Sequence, residues 1–412
     1  MTALDLDFIR EQFPAFAHPD AGQWAHLENA GGSYVPKQVI DLLNGFFTAT
    51  KVQPYWAFEP STRAGHAMDL AKARLPATFN ADADEVHFGP STTQNTYVLA
   101  HALRATMNVG DEVIVTNQDH EANVGSWRRL SETGIVVKEW PVDPATGMLD
   151  VADLGALLTD RTALVAVTHA SNVAATINPI ATIADIAHAH GALLCVDGVA
   201  YAPHSAVDVG QLRCDIYLYS AYKTFGPHVG MMYVASGLAD RVSNQGHYFN
   251  GDTATGKLVP AGQNHAEVAA TAGVMGYYDA VHEHHFDHPP VDDTALVREV
   301  FGLFATHEQH LMTPLAELLN SRDEVRLVGT PSGDHSHRTP TFAFSTPKLS
   351  SSKVYDALIQ AKVSCGHGQF YAPRLMASLG LDPTDGVARL SLAHYNTADE
   401  VERALHVLDT IL

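Results

Sequence analysis

Between Glu85 and Val234, short apolar runs alternate with stretches of helical spacing, and nothing else in the chain constrains its fold as much. The candidate strands are Val86–Phe88, Glu112–Thr116, Ile135–Trp140, Ala163–His169, Leu193–Asp197, Ile216–Tyr219 and Val229–Val234. Helical periodicity fills the gaps at Thr92–Met107, Glu121–Glu132, Val151–Thr159 and Ile180–His190. Runs this short and this apolar need cover on both faces, and helices between them supply it. The alternation therefore predicts an α/β fold with a large, mostly parallel, seven-stranded sheet. In such sheets ligands bind beyond the carboxyl ends of the strands, so the residues that follow each run are the ones to inspect.

The flanks read differently. Leu6–Phe13 has the spacing of a short helix, His26–Gly32 that of a strand ending in a tight turn, and Pro36–Ala49 that of a helix opened by proline. After Gly262 a small-residue helix is predicted over Ala266–His282, broken by the polar stretch His282–Pro290. A long amphipathic helix follows over Asp293–Asn320. The remainder mixes strands (Thr341–Ser345, Val387–Leu392) with helices (Ser352–Gln360, Thr397–Thr410), as an α+β unit would. The expected division is a large domain over 18–288 and a smaller one from 1–17 with 289–412. A chain of 412 residues, 46% hydrophobic, can fill cores of that size. Its net charge of −21 excludes nucleic acid as a partner, because phosphates demand basic patches. The start, MTALDLDFIREQFP, lacks the basic region and apolar core of a signal peptide, and no apolar run has the length of a membrane span. Three scattered cysteines, Cys195, Cys214 and Cys365, form neither a C-x-x-C pair nor a disulfide framework. A soluble protein of the reducing cytoplasm is expected.

One residue stands out against this frame. Lys223 lies in the turn between the last two apolar runs, in CDIYLYSAYKTFGPHVGMMYV. An ammonium there is expensive to desolvate and tends to lose its charge. A lysine of that kind suits a Schiff base with a carbonyl cofactor, pyridoxal phosphate above all, although a single turn lysine more often snorkels to solvent. Ser91-Thr92-Thr93 follows the first run and opens a helix, which makes an anion site or simply a capped helix. Asp197 ends the fifth run, where a carboxylate could hold a pyridine nitrogen protonated or merely cap the next loop. His120 and Asn172 follow the second and fourth runs; the imidazole could stack on a flat ring, and the amide could donate to a phenolic oxygen. Each signal is common alone. Their succession after consecutive strands, converging on Lys223, is not. Elsewhere, HEHHFDH (282–288) looks like a metal cluster but is followed by Pro-Pro, and a solvated helix end is expected. Asp5, Asp7, Asp82, Asp84 and Glu85 are expected to be surface charge.

With these segments in hand, the chain resembles the class V aminotransferase group of fold-type I pyridoxal-phosphate enzymes, including cysteine desulfurases, selenocysteine lyases and isopenicillin epimerase-like proteins. The likeness runs through HLENAGGSYVP, FGPSTTQNTYVLA, DHEANVGSW, HASNVAATINPI, VDGVAYAPHSAVDV and SAYKTFGP to PAGQNHAEVAA and ARLSLAHYNTADEVERAL. It implies that Lys223 carries the internal aldimine, Asp197 pairs with the pyridine nitrogen and His120 stacks on the ring. It places Asn172 at the phenolic oxygen and Thr92, Thr93 and Ser220 at the phosphate. Arg389 would bind the substrate carboxylate, for which a bidentate guanidinium is suited. Three positions depart from the group's pattern: Ala200 where a glutamine is common, Tyr222 where a histidine precedes the lysine, and Gly262-Gln263 where a glycine-threonine pair reaches the partner's phosphate. Tyr371 falls where group-II desulfurases carry their sulfur-accepting cysteine, and Cys365 lies six positions earlier. The resemblance implies a homodimer, with Gln263 and the 244–262 stretch reaching across, and an enzyme acting on a small amino acid. Cysteine desulfurase-like C–S lyase chemistry leads, with transamination, racemisation or epimerisation as alternatives and a non-catalytic cofactor-binding protein as the non-enzymatic one.

Overall fold

The computed structural model describes residues 3–251 and 253–412, so Met1, Thr2 and Asp252 of the sequence stretches above lie outside the described residues. The seven runs form one sheet: β1 Val86–Gly89, β2 Glu112–Thr116, β3 Val136–Trp140, β4 Thr162–Thr168, β5 Leu193–Asp197, β6 Ile216–Ser220 and β7 Gly230–Val234. Their spatial order is β1-β7-β6-β5-β4-β2-β3. All run parallel except β7, which lies antiparallel between β1 and β6. The exception follows from chain length. The link from β6 to β7 is too short for a parallel crossover, which takes a dozen residues or more, so the chain must double back. Lys223 lies in that return, at the carboxyl end of β6.

Alternate residues of each strand serve opposite cores. Ile114, Val165, Val167, Leu194, Val196, Tyr217 and Met231 pack on one face. Val113, Val115, Leu164, Ala166, Cys195, Ile216, Leu218 and Met232 pack on the other. Period-two alternation with both sets apolar is what a sheet covered on both sides requires. Each fully buried Val, Leu or Ile contributes about 1.5–3 kcal/mol relative to exposure.

A second, antiparallel sheet contains β8 Arg326–Leu327, β9 Thr341–Ser345, β10 Gly366–Gly368 and β11 Val387–Ser391, in the order β10-β11-β9-β8. It covers a separate core that includes Leu315, Phe342, Leu358 and Leu390. The strand expected at His26–Gly32 is reduced to Ala25–His26, paired in parallel with Val363–Ser364, and Ala25 and Leu27 fill this second core. Beyond Leu27 the chain turns, with the Gly31 and Gly32 amides donating to the Glu28 and Asn29 carbonyls.

The helix expected at Ala266–His282 is divided at Thr271, into His265–Ala270 and Ala272–His285, and so runs past His282 into the polar stretch. A helix at Glu59–Arg74 answers to no apolar periodicity in the sequence. It buries Ser61, Ala64, Gly65, Met68 and Ala71, a stripe too small-sided to stand out. The long helix Asp293–Asn320, capped by Asp292, leads from the region of the first sheet to the second. Among the described residues no helix is long and apolar enough to cross a membrane.

Candidate active site

The strand ends converge as parallel strands must. Thr92, Thr93, His120, Asn172, Asp197, Ser220, Tyr222 and Lys223 line one cleft, together with Ala200 and His228. Lys223 is buried, and burial takes its ammonium down to a pKa of about 8. The nearby Arg389 charge pushes the same way; Asp197 and Glu28 oppose it. Asp197 is likewise buried, and its Oδ1 accepts the Val199 amide at 2.9 Å. Burial raises its pKa, with Lys223 acting in the opposite sense. A carboxylate in that position gains from any cation brought into the cleft.

In the same cleft, Ser91 caps the helix Thr92–Arg104 by accepting the Gln94 amide at 3.2 Å. The Thr92 and Ser220 hydroxyls lie 2.6 Å apart, and Thr92 also donates to the Tyr219 carbonyl at 3.0 Å. Thr93 is exposed at the same helix start. Gly230 lets β7 pack there; a Cβ on it would collide with the Ser91 backbone. Free amides at a helix start, two hydroxyls and the positive end of the dipole form an anion cradle.

His120 caps the next helix: its Nδ1 accepts the Ala122 amide at 3.0 Å, which leaves the proton of the neutral ring on Nε2. Burial, then the Lys223 and Arg389 charges, lower its pKa to about 4. Just before it, Asp119 is raised to about 7, by burial first and by Asp197 in addition, despite bonds from Thr116 and Asn123. Tyr222 stacks on His228 with ring centroids 4.8 Å apart.

Arg389, from β11 of the second sheet, arrives beside this cleft already paired. Its guanidinium bonds the Glu28 carboxylate, donates through Nη1 to the Asn172 carbonyl at 3.1 Å and stacks 3.8 Å from the Phe370 ring centroid. Its Nε is buried without a partner among the described residues. Asn172 Nδ2 donates to the Phe370 carbonyl at 2.9 Å, while Asn172 Oδ1 is buried with no partner among the described residues. The amide expected to serve a phenolic oxygen is therefore half committed to the loop. That loop is strained, since Phe370 and Tyr371 stand at φ of 50° and 57°. The Glu121 amide holds it by donating to the Tyr371 carbonyl at 2.8 Å. The Tyr371 side chain is exposed, with its ring 5.3 Å from that of His120. Cys365, by contrast, packs in the second core, and burial lifts its thiol to about 12.

Gln263 is not in the cleft: its Nε2 donates to the Phe88 carbonyl at 3.1 Å, and it lines an adjoining apolar cavity with Tyr97, Val98 and Leu258. His282 is not solvated but 98% buried and bonded to Glu299, whose place on the next helix the local pattern could not show. Glu28, Asp119, Phe370 and His228 are the site residues that sequence reasoning missed. Glu28 carried one available signal, an acidic residue between an apolar run and Gly-Gly.

A three-layer unit with a buried lysine after β6, a buried carboxylate after β5 and an anion cradle after β1 defines a fold-type I, pyridoxal-phosphate-dependent enzyme. The residues fit that cofactor. The cradle suits a phosphate, the Asp197 carboxylate a ring N–H, and Lys223 a carbonyl carbon. Comparison with known proteins agrees. Residues 25–259 and 301–404 match the Aminotransferase class-V family, and the chain belongs to it. It is 36% identical over 422 residues to aminotransferase-like protein FGM3 of Gibberella zeae, covering 100% of this chain and 99% of the relative. To a cysteine desulfurase of Serratia proteamaculans it is 30% identical, with 98% of each chain covered. The crystal structure of the cysteine desulfurase CsdA from Escherichia coli shares the fold, with a TM-score of 0.81 at 24% identity over 99% of this chain and 98% of that one.

Proposed function

We propose that this enzyme acts on a small amino acid through Lys223 and eliminates a sulfur leaving group, as a cysteine desulfurase-like C–S lyase that makes no protein persulfide. The observation that carries the first half is a buried lysine whose pKa of about 8 leaves roughly a tenth of it neutral at pH 7. Pyridoxal phosphate, when bound, supplies an electron sink for the carbon whose bonds break. The chain's own groups do the rest. Thr92, Thr93, Ser220 and the amides at the helix start would hold the phosphate, Asp197 would hold the ring nitrogen and Asn172 would serve the ring oxygen. His120 would cover one face of the ring, and Tyr222 would close the side next to the lysine. The neutral amine of Lys223 would take the proton from the substrate Cα.

Arg389 orients the substrate by its carboxylate. Because Glu28 already occupies that guanidinium, the incoming carboxylate has to displace it or share Arg389 with it. For the second half, the buried Cys365 thiol and the phenol of Tyr371 leave the loop without a thiolate to accept sulfur. Loss of sulfide from cysteine then balances as cysteine plus water giving pyruvate, ammonia and hydrogen sulfide, the C–S electron pair leaving with sulfur.

The deciding experiment supplies the purified enzyme with a panel of amino acids, with and without a keto acid, and quantifies alanine, pyruvate and sulfide. Pyruvate and sulfide in equal amounts support the proposal. Alanine with protein-bound persulfide overturns it in favour of a desulfurase, and amino-group transfer to the keto acid overturns it in favour of a transaminase. The enzyme is further proposed to be a cytoplasmic homodimer in which the 18–288 unit holds the cofactor and 1–17 with 289–412 form the other unit. The apolar cavity beside the phosphate end, with Gln263 on its wall and His228 shared with the cleft, supports a partner seated there. Sedimentation of a monomer fully loaded with cofactor would contradict this.

A further inference from the structure

The histidine-rich stretch at the end of the first unit plays no part in the chemistry above, and the fold gives its members separate places. His284 stacks on Phe8, with centroids 3.8 Å apart, and bonds Asp5 at 2.9 Å. His285 accepts the Asp5 amide at 2.9 Å. His282 and His288 turn elsewhere. His282 is buried near the end of the helix Ala272–His285, where its Nε2 meets Glu299 Oε2 at 2.6 Å and its ring stacks on Phe286 at 4.6 Å. The His288 ring, on the exposed link to the next helix, lies 5.6 Å from that of His282. One ligand-type atom from each of His282, His288 and Glu299 lies within 4.8 Å of the others.

We propose that His282, His288 and Glu299 form a binding site for a divalent transition-metal ion that fastens the junction between the helices Ala272–His285 and Asp293–Asn320. Three segments each supply one ligand: a helix end, the link and the next helix. Two imidazoles and one carboxylate are a borderline donor set, suited to Zn2+, Co2+, Ni2+ or Cu2+ and poorly to Ca2+ or Mg2+, which prefer oxygen. Bonds of about 2.0–2.2 Å in a tetrahedron place ligand atoms roughly 3.3 Å apart, so closure takes a small inward shift, available to the exposed His288. An ion would take the place of the hydrogen bond between His282 Nε2 and Glu299 Oε2, with a water as fourth ligand. The backbone around the site is already set. Arg74 grips Asp279 at 2.7 and 2.9 Å and Asp293 at 2.6 and 3.0 Å, tying the same two helices together. The site is thus preorganised except for one ligand, and metal binding should stabilise the junction.

The test uses the full chain freed of metal by chelation. Zn2+ is titrated by calorimetry and by melting temperature, and Co2+ by its visible absorption, which is intense only in tetrahedral sites. The expected result is one ion per chain above any weaker binding by the other histidines, a raised melting temperature and a tetrahedral Co2+ spectrum. His288→Ala leaves the buried His282–Glu299 pair intact and should weaken binding by roughly 10–100-fold or more. Glu299→Gln should do the same, and His284→Ala should leave the Zn2+ affinity and the Co2+ spectrum unchanged. Equal binding by wild type and His288→Ala, an octahedral Co2+ spectrum, or no binding would each overturn the proposal.

Discussion

Two buried cations stand at the cleft, and the fold treats them oppositely. Lys223, at the end of β6, meets burial and the repulsion of Arg389, and its pKa falls to about 8. Arg389, on the second sheet, is buried as deeply but has Glu28 against its guanidinium, the Asn172 carbonyl on Nη1 and Phe370 beneath it. Burial lowers its pKa as well, with Glu28 opposing, yet a guanidinium begins so high that it stays charged. One cation is therefore kept ready to lose its proton, and the other is kept charged against a carboxylate. The first arrangement suits the proton transfer proposed for Lys223, and the second the carboxylate recognition proposed for Arg389.

The largest effect is expected at Lys223. Lys223→Ala should cut turnover by about 10⁴-fold, the upper end for a residue that moves protons. Borohydride reduction of the wild type should label Lys223, and the protein should lose its visible absorption. A variant within tenfold of wild type removes Lys223 from the chemistry. Next in size is Asp197→Asn, which should retain cofactor through gel filtration while turnover drops about 10²–10⁴-fold. Near-normal turnover there would free Asp197 of its assigned role.

Arg389 and Glu28 test the other half. Arg389→Lys keeps the charge but loses the bidentate fork, and kcat/KM should fall on the order of 10²-fold, mainly through KM. Glu28→Gln should act in the opposite direction and lower KM by roughly 10–100-fold, since a competing charged hydrogen bond of about 1.5–3 kcal/mol is removed. If KM rises instead, Glu28 holds Arg389 in place rather than competing for it.

A pH profile sharpens the contrast with smaller shifts. Cofactor capture by stripped protein needs the neutral amine, so its rate should rise tenfold per unit up to about pH 8 and then level off. Glu28 favours the ammonium and Arg389 disfavours it. Glu28→Gln should therefore move the midpoint down, and Arg389→Gln should move it up. Stopped-flow absorbance reads this directly; midpoints that move the other way would show that these charges do not reach Lys223. The smallest effect belongs to Cys365→Ala, which should change pyruvate and sulfide formation less than about twofold, because a buried, protonated thiol is inert. Alanine production that vanished in this variant would restore a persulfide route.

Much of this was legible before any coordinates. Glu112–Thr116, Leu193–Asp197 and Asp293–Asn320 occupy the spans that their periodicity predicts. The cleft collects the residues that follow successive strands, because parallel strands all end on one edge. Local pattern also set the limits. The Ala25–His26 strand exists through a partner near Val363, and the helix Glu59–Arg74 buries side chains too small to mark a face.

What the sequence determined by itself was therefore the sheet, its strand ends and the residues standing there, because periodicity and chain length are local and the parallel crossover rule does the rest. The tertiary structure alone decided what each charge meets. Glu28 and Arg389 are 361 residues apart, and His282 gains Glu299 only where two helices pack. Burial and long-range pairing set whether a lysine is neutral, an arginine is occupied or a histidine has a ligand-type neighbour. Those depend on distances across the fold, which no window of sequence contains.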